Sequence, residues 1–396
     1  MNKTVNKTVL VLSEYYLPGY KAGGPIRTVA NIVSRLHPHC NFKLITRDRD
    51  LGDTHPYSGI QTDTWIPGEH ADILYLSPGF FPSIFLCRLL MTTQYDTLYL
   101  NELFSPKFSM LPLFLFWLSL TQGKRVVLAP RGSCAPSALN LRSVRKKIFL
   151  KFSKGIGLFK HVVWHASSEH EAGDIVKVFA ADPGRNKGSL SIVNVPDMPA
   201  YILQSRLISR EKSPGTLRII FLGRIAKMKN LHYALSLLSD LQGEIVFDIY
   251  GPLEDAQYWD ECSQLIAALP QNMTVRYCGL IEHDLVAETY QTYHFLLLPT
   301  LGENFGHAIL EAFSNGCPVI ISNRTPWKNL ENQGIGWDIP LEDVVLFKKV
   351  LQRCVDLNQS EFNILSKQSR LFSRKVIEDD MIVQQHLELF AVDKQV

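Results

Sequence analysis

The sequence predicts an α/β protein built from two doubly wound domains, an expectation that rests on three observations. Short apolar runs closed by turn residues alternate with helix-period segments, as parallel strands and their crossovers do. The alternation begins at residue 9 and restarts at residue 217, after a segment ending in EKSPG. A chain of 396 residues is long for one core and suits two domains of ordinary size.

Residues 9–12 form the first strand and lead into SEYYLPGYKAGGPIRTVANIVSRL. Gly23 and Gly24 lie at a strand-to-helix turn and Pro25 suits the first helical position, so the backbone there is free to approach a ligand closely. A tight connection without a ligand is the other reading. Further strands fall at 41–46, 73–76 and 97–101, with a helical pattern at 84–91. The strand at 126–129 ends in Pro130-Arg131-Gly132-Ser133. Ligands of parallel sheets bind at the carboxyl ends of strands, so Arg131 is a candidate acceptor contact, with a structural salt bridge as the alternative. Strands at 161–166 and 190–195 close this half, and residues 198–215 connect it to the next.

The second half opens with a strand at 217–222 and the turn GRIAKMKN, which sets Gly223, Arg224 and Lys229 before an amphipathic helix at 231–241. Cations at the carboxyl end of a first strand suit a diphosphate, and Arg adds a bidentate fork. Strands at 245–250 and 275–277 follow. The stretch YHFLLLPTLGENFGHAILEAFSNGCPVIIS then reads as strand, loop, short helix and strand. Ile309, Leu310 and Phe313 give the helix an apolar face, Gly306 lies near its first turn, and Asn315-Gly316 stops it. Glu303 therefore belongs to the loop and Glu311 to the helix. Eight residues of helix rise about 12 Å, so the two carboxylates grip different parts of one long ligand rather than share a proton. The amides of Asn304, Phe305, Gly306 and His307 open the helix and offer unpaired donors at its positive end, which suits a phosphate. Trp327 and Trp337, around a later glycine turn, read as core and loop packing rather than a sugar platform. A last helix is expected at 381–390.

Net charge is only +3, which argues against a dedicated nucleic-acid binder. Seven scattered cysteines without a CxxC or a His/Cys cluster point to reduced, mostly buried thiols and a cytoplasmic setting. The apolar run before Ser13 and Glu14 is short and reads as a strand rather than a signal peptide. The longest apolar stretch, 110–120, is below the roughly 20 residues a spanning helix needs. Residues 140–160 hold seven Lys/Arg and no acid, interleaved with Ile148, Phe149, Leu150 and Phe152. Such a stretch is attracted to an anionic membrane surface; a solvated helix face is the plainer reading.

The run GENFGHAILEAFSNGCPVI resembles the E-x7-E signature of retaining glycosyltransferases of family 4, which have the GT-B fold, with Glu303 and Glu311 as its glutamates. The resemblance implies two Rossmann-like domains facing a central cleft. Residues 1–197 would form the acceptor-side domain, 198–376 the nucleotide-sugar domain, and 377–396 a helix returning to the first. It implies that Glu303 and the amides after it meet the donor sugar and phosphates, that Glu311 holds the ribose, and that Arg224 and Lys229 of the G-R-x4-K stretch hold the diphosphate. Asn230 replaces a glycine common there. The loop at Gly23 and Gly24 matches the family's glycine-rich loop facing donor phosphate and acceptor. SSEHEA, with Glu171-Ala172 in register, matches a further family stretch, whereas Asn194-Val195-Pro196-Asp197 departs from the usual Pro-Asn-Gly. PRG followed by AP is similar to a subset acting in bacterial surface polysaccharide synthesis. The implied activity is transfer of a hexose from a nucleoside diphosphate sugar to a glycan, with a lipid-linked acceptor at the inner face of the cell membrane and neither metal nor cofactor. A nucleotide-sugar 2-epimerase and a non-catalytic membrane-bound partner of a polysaccharide complex remain as alternatives.

Overall fold

The computed structural model describes residues 7–79, 81–140, 143–179, 190–201 and 210–391. The chain divides into two compact units, one of Met1–Ala200 with Asp379–Val396 and the other Tyr201–Glu378.

The first unit contains β1 (Thr8–Ser13), β2 (Asn41–Arg47), β3 (Trp65–Pro67), β4 (Asp72–Leu76), β5 (Thr97–Asn101), β6 (Arg125–Ala129), β7 (Val162–Ala166) and β8 (Ser191–Asn194). They form one sheet in the order β3-β4-β2-β1-β5-β6-β7-β8. Among the described residues β3 is the one antiparallel strand, an edge the sequence pattern had not signalled. The unbroken apolar run of β1 follows from a sheet covered on both faces. Val9 and Val11 pack with Val29, Ile32 and Val33 of helix Gly24–Leu36 and with Leu387 and Phe390 at the chain's last helix, Asp380–Leu389. Leu10 and Leu12, on the opposite face, pack with Leu86, Leu90 and Leu113.

The second unit contains β9 (Thr216–Leu222), β10 (Glu244–Tyr250), β11 (Met273–Gly279), β12 (Phe295–Leu298), β13 (Val319–Ser322) and β14 (Gly336–Ile339). Their order is β11-β10-β9-β12-β13-β14 and their pairings are parallel. Strand β14 lies where the sequence reading placed a loop. It reaches β13 because Gly336 has φ 143°, and a Cβ there would stand 2.1 Å from the Val319 carbonyl oxygen. Trp327 and Trp337 are both buried in this core, as packing residues are. The helix expected over 231–241 stops at Ser236 and continues as tighter i+3 turns, Leu238 N–H to Leu235 and Leu241 N–H to Leu238.

Both sheets therefore have the α/β doubly wound order. In each, direction reverses beside the first strand, between β1 and β5 in one unit and between β9 and β12 in the other, and the crevice at such a reversal is where these sheets bind ligands. All seven cysteines are free and five are buried.

The loops beyond β9, β10 and β11 are laced together: Gly223 N–H donates to Tyr250 (3.0 Å), Gly251 N–H to Gly279 (2.8 Å) and Ile225 N–H to Pro252 (2.9 Å). Gly251 permits this, with φ 139° and an imagined Cβ only 1.9 Å from the Gly223 carbonyl oxygen. Gly251→Ala is expected to cost more than about 2 kcal/mol. A urea midpoint lowered at unchanged m would show this, and a midpoint within error of wild type would contradict it.

Candidate functional site

In the second unit, the residues singled out in two separate stretches converge at the reversal between β9 and β12. Beyond β9 the chain forms a single 3-10 turn, Lys227–Lys229, and Asn230 closes it with φ 60° and ψ 41°. That left-handed conformation favours Gly and tolerates Asn, which explains why Asn230 stands where a glycine is common. The Asn230 side chain then donates to the Pro299 carbonyl at 2.9 Å. Two further bonds join the same loops: Leu301 N–H to Met228 O (2.8 Å) and Thr300 Oγ1 to Met228 O (3.0 Å). On this double seam, Lys229 Nζ forms an ion pair with Glu303 Oε1, both side chains being mostly buried. Gly223 lies under the Lys229 stem, 3.6 Å from its Cγ to an imagined Cβ. Arg224 pairs with Glu254 at 2.6 Å, and both are about 40% exposed, at 39% and 44%. An exposed pair of that kind contributes little to stability, so Arg224 can be redirected cheaply.

Helix His307–Ser314 starts four residues after Glu303 in the chain. Gly306 is its N-cap at φ 81°, and a Cβ there would meet Ile309 Cδ1 at 2.9 Å. Phe305 is buried, its carbonyl accepting from Trp327 Nε1 at 2.5 Å, and its ring lies 4.9 Å from that of His307. Glu303 N–H donates to Arg324 O at 3.1 Å, which fixes the loop from its far side. Asn304 is half-buried in the same turn. Glu311 lies one turn into the helix, half-buried. Burial first, and then the Glu311 carboxylate, push the Tyr290 hydroxyl well above its ordinary range. Tyr290 Oη donates to the Ala308 carbonyl at 2.9 Å, bracing the helix's first turn. The arrangement offers cations at one edge, a helix start at the other and a carboxylate between them.

The first unit treats its residues differently. Gly23 caps helix Gly24–Leu36 with φ 75°, so both glycines take the strand-to-helix place foreseen for them. Arg131, however, is turned inward. It pairs with Asp197 and donates from Nη2 to Tyr99 Oη (2.6 Å) and Asn101 Oδ1 (3.1 Å), with both members of the ion pair nearly inaccessible. Burial alone would lower its pKa, but Asp197 and Tyr99 more than offset this and the net shift is upward. Of the two readings open for Arg131, the structure shows the salt bridge, with Asp197 as its partner. Asp197, in the loop that departs from the family pattern, is the counter-charge and also accepts from Thr28 Oγ1 at 3.1 Å. Buried Glu171 accepts from Gly132 N–H (2.6 Å) and Ser167 N–H (2.9 Å), which ties down the loop carrying Arg131.

Two carboxylates escaped the sequence reading although they occupy the same kind of position as Arg131. Glu14 follows β1 and Glu102 follows β5, on either side of this sheet's reversal. Glu102 has φ 102°, and burial, then Glu14, against the pull of Lys146, push its pKa up to about 7.

In helix Ser143–Gly155, Phe149 and Leu150 pack on the core while Val144, Ile148 and Phe152 are exposed at 68%, 64% and 59%. These three recur every four residues and so share one helix face. Lys146 is engaged, its Nζ donating to Ala138 O at 2.6 Å. Nearby in the unit, a cavity of about 450 Å³ is lined by Phe116, Trp117, Ile156, Lys160 and His161 among others. No helix among the described residues is long and apolar enough to cross a membrane, and no group of three or more His, Cys, Asp or Glu is placed to hold a metal.

Because Glu102 binds its proton more tightly folded than unfolded, stability should fall as pH rises from about 4.5 toward 7, by on the order of 3 kcal/mol. Glu102→Gln should remove that slope and exceed wild type in stability at pH 8. Parallel denaturation curves at pH 5 and 8 check this, and identical pH dependence in the two proteins would contradict it.

Residues 207–360 match the family described as Glycosyl transferases group 1. The 2-deoxystreptamine N-acetyl-D-glucosaminyltransferase of Niallia circulans is 33% identical over 112 residues, which cover 28% of this chain and 28% of that protein. The shared stretch thus spans under a third of that relative's length. Among solved structures, sucrose-phosphate synthase from Thermosynechococcus elongatus superposes with a TM-score of 0.66 at 16% identity, covering 98% of both chains. Anabaena HepE in complex with UDP-glucose does so with a TM-score of 0.63 at 12% identity, covering 98% of this chain and all (100%) of that one. The chain therefore has the GT-B fold of glycosyltransferases, and its second unit carries the glycosyl transferases group 1 match.

Proposed function

We propose that the protein is a retaining glycosyltransferase that moves a hexose from a nucleoside diphosphate sugar to a glycan acceptor in bacterial polysaccharide synthesis. The observation that carries this reading is the meeting of Lys229 with Glu303 at the β9/β12 reversal, beside the start of helix His307–Ser314. The diphosphate would lie between Lys229, Arg224 and the first-turn amides, with Gly223 leaving it room. Its charge would draw Lys229 away from Glu303. The freed carboxylate would then orient the sugar and support the positive charge that develops on it as the glycosidic bond breaks. The acceptor attacks the face the diphosphate leaves, so configuration is retained. Glu311, farther along the helix, holds the ribose. Phosphate charge is met by Lys229, Arg224 and a helix start, and activity is expected to persist in EDTA. The likeness to the Niallia circulans N-acetylglucosaminyltransferase and to a UDP-glucose complex supports the choice of donor class.

The acceptor is read as lipid-linked and the protein as peripheral to an anionic membrane surface. Support comes from the basic 140–160 stretch together with the exposed row Val144, Ile148 and Phe152. Apolar side chains beside cations are what an interfacial helix presents.

Incubation with UDP-, GDP- and ADP-sugars tests the donor class. A nucleotide at 100 times its Kd should add about 2.7 kcal/mol of stability, and absence of a shift with all three would remove the reading. Turnover of the donor with no acceptor present would indicate a 2-epimerase instead.

Lys229→Ala and Arg224→Ala should each lower kcat, by about 100-fold or more, because charge grows on the diphosphate toward the transition state. Glu311→Ala should mainly raise KM, since a ribose contact is made equally in ground and transition states. Steady-state kinetics distinguish these outcomes, and wild-type kcat in both cation variants would exclude the diphosphate role. On anionic vesicles, replacing Arg145, Lys147 and Lys151 with Ser should weaken sedimentation at low salt by about 1 kcal/mol per cation. Ile148→Ser with Phe152→Ser should weaken the part that survives high salt. A wild-type protein that stays in the supernatant at low salt would make the helix a solvated face.

A further inference from the structure

Within the second unit, two buried cations, Arg210 and Lys212, are held by carbonyl groups. Arg210 is 7% exposed, and its donors go to Tyr290 O (3.3 Å), Tyr293 O (2.7 Å), Asn315 O (3.3 Å), Gly316 O and Ser366 Oγ (2.9 Å), with no carboxylate among its hydrogen-bond partners in the described residues. The guanidinium plane lies over the Phe362 ring, 5.2 Å from its centroid. Burial lowers its pKa, Cys317 opposes this in part, and repulsion from Arg370 adds the smallest effect.

These carbonyls sit at the exits of two helices, His283–Tyr290 and His307–Ser314. The last carbonyls of a helix form its negative end, so one guanidinium satisfies two such ends at once. Gly316 is shaped for this, with φ 63° and an imagined Cβ that would press on Ser366 Oγ at 2.7 Å and Arg210 Nη2 at 3.1 Å. Gln359 Nε2 holds the Arg210 carbonyl at 2.9 Å. Lys212 makes a parallel arrangement at a different helix, donating to Val355 O (2.9 Å) and Leu357 O (2.8 Å) at the end of helix Val344–Asp356.

We infer that Arg210 is a positioning residue for the segment that carries Glu303, the first-turn amides and Glu311, and so, on the function proposed above, for donor binding. Helix His307–Ser314 has eight residues, about 12 Å of rise. Its start faces the site and its end is gripped by Arg210. A helix so short is marginal on its own and relies on its tertiary contacts, so loss of the hold at one end is felt at the other. Lysine supplies charge but not the planar fork that reaches both helix ends.

The test compares full-length Arg210→Met, Arg210→Lys and Lys212→Met by amide hydrogen exchange without ligand and by UDP, GDP and ADP titration. Arg210→Met should speed exchange over 303–311 at least tenfold and raise the nucleotide Kd about tenfold, with Arg210→Lys between it and wild type. Lys212→Met should lower overall stability while leaving 303–311 and the Kd near wild type. If Arg210→Met does not fold, Arg210→Lys against Lys212→Met decides the same question. Unchanged exchange at 303–311 in the Arg210 variants, or an equal change in Lys212→Met, would overturn the inference. Wild type that binds none of the nucleotides would instead defeat the proposed donor class, while the exchange result still decides whether Arg210 positions the segment.

Discussion

The second unit's candidate site depends on one contact, the ion pair of Lys229 and Glu303 across the reversal of the sheet. Removing two charges from water is costly, and pairs of this kind add little net stability compared with apolar residues of the same size. On the function proposed above, the pair would hold a cation and a carboxylate side by side at the reversal, each as the other's temporary partner. Most of the surrounding architecture serves it. Asn230 in its left-handed conformation turns Lys229 inward, the Met228 carbonyl takes two bonds from the opposite loop, and Gly251 lets the neighbouring loop close to within backbone contact of Gly223. A diphosphate arriving between Lys229 and the start of helix His307–Ser314 would exchange one anionic partner of the lysine for another. On the proposed function, that exchange would leave Glu303 free to meet the sugar.

Much of this was legible in the sequence because it is local. The unbroken apolar runs of β1 and β12, and the Ile-Ile-Phe-Leu end of β9, signalled strands buried on both faces. The Asn315-Gly316 stop, the Gly306 start and the assignment of Glu303 to a loop and Glu311 to a helix follow from backbone rules spanning a few residues. What the sequence concealed is of two kinds. Edge strands β3, Trp-Ile-Pro, and β14, Gly-Trp-Asp-Ile, are only three and four residues long, one closed by proline and the other opened by glycine, so they lack the aliphatic run of the interior strands. The partners of buried charges lie far along the chain: Arg131 meets Asp197, and Arg210 meets carbonyls at Tyr290, Tyr293, Asn315 and Gly316. A cation after a strand reads identically whether it faces solvent or turns inward. For Arg131 the tertiary partner, Asp197, turns the side chain inward.

Glu102 and the helix Ser143–Gly155 show the same limit from the other side. The carboxylate sits after a buried strand, as Arg131 does, yet its raised pKa arises from burial and from Glu14, nearly ninety residues earlier in the sequence. In the helix, charge was visible from composition, but which apolar residues face the core and which face out was not. Phe149 and Leu150 are the packed ones, and Val144, Ile148 and Phe152 the exposed ones, so a surface first read as electrostatic acquires an apolar component.

The most direct measurement is a crystal structure of the protein with a nucleoside diphosphate. Phosphate oxygens are expected within about 3 Å of Lys229 Nζ and of the amides that open helix His307–Ser314, with the Lys229 to Glu303 pair broken. A diphosphate bound away from the β9/β12 reversal, or bound there with that ion pair intact, would contradict this expectation.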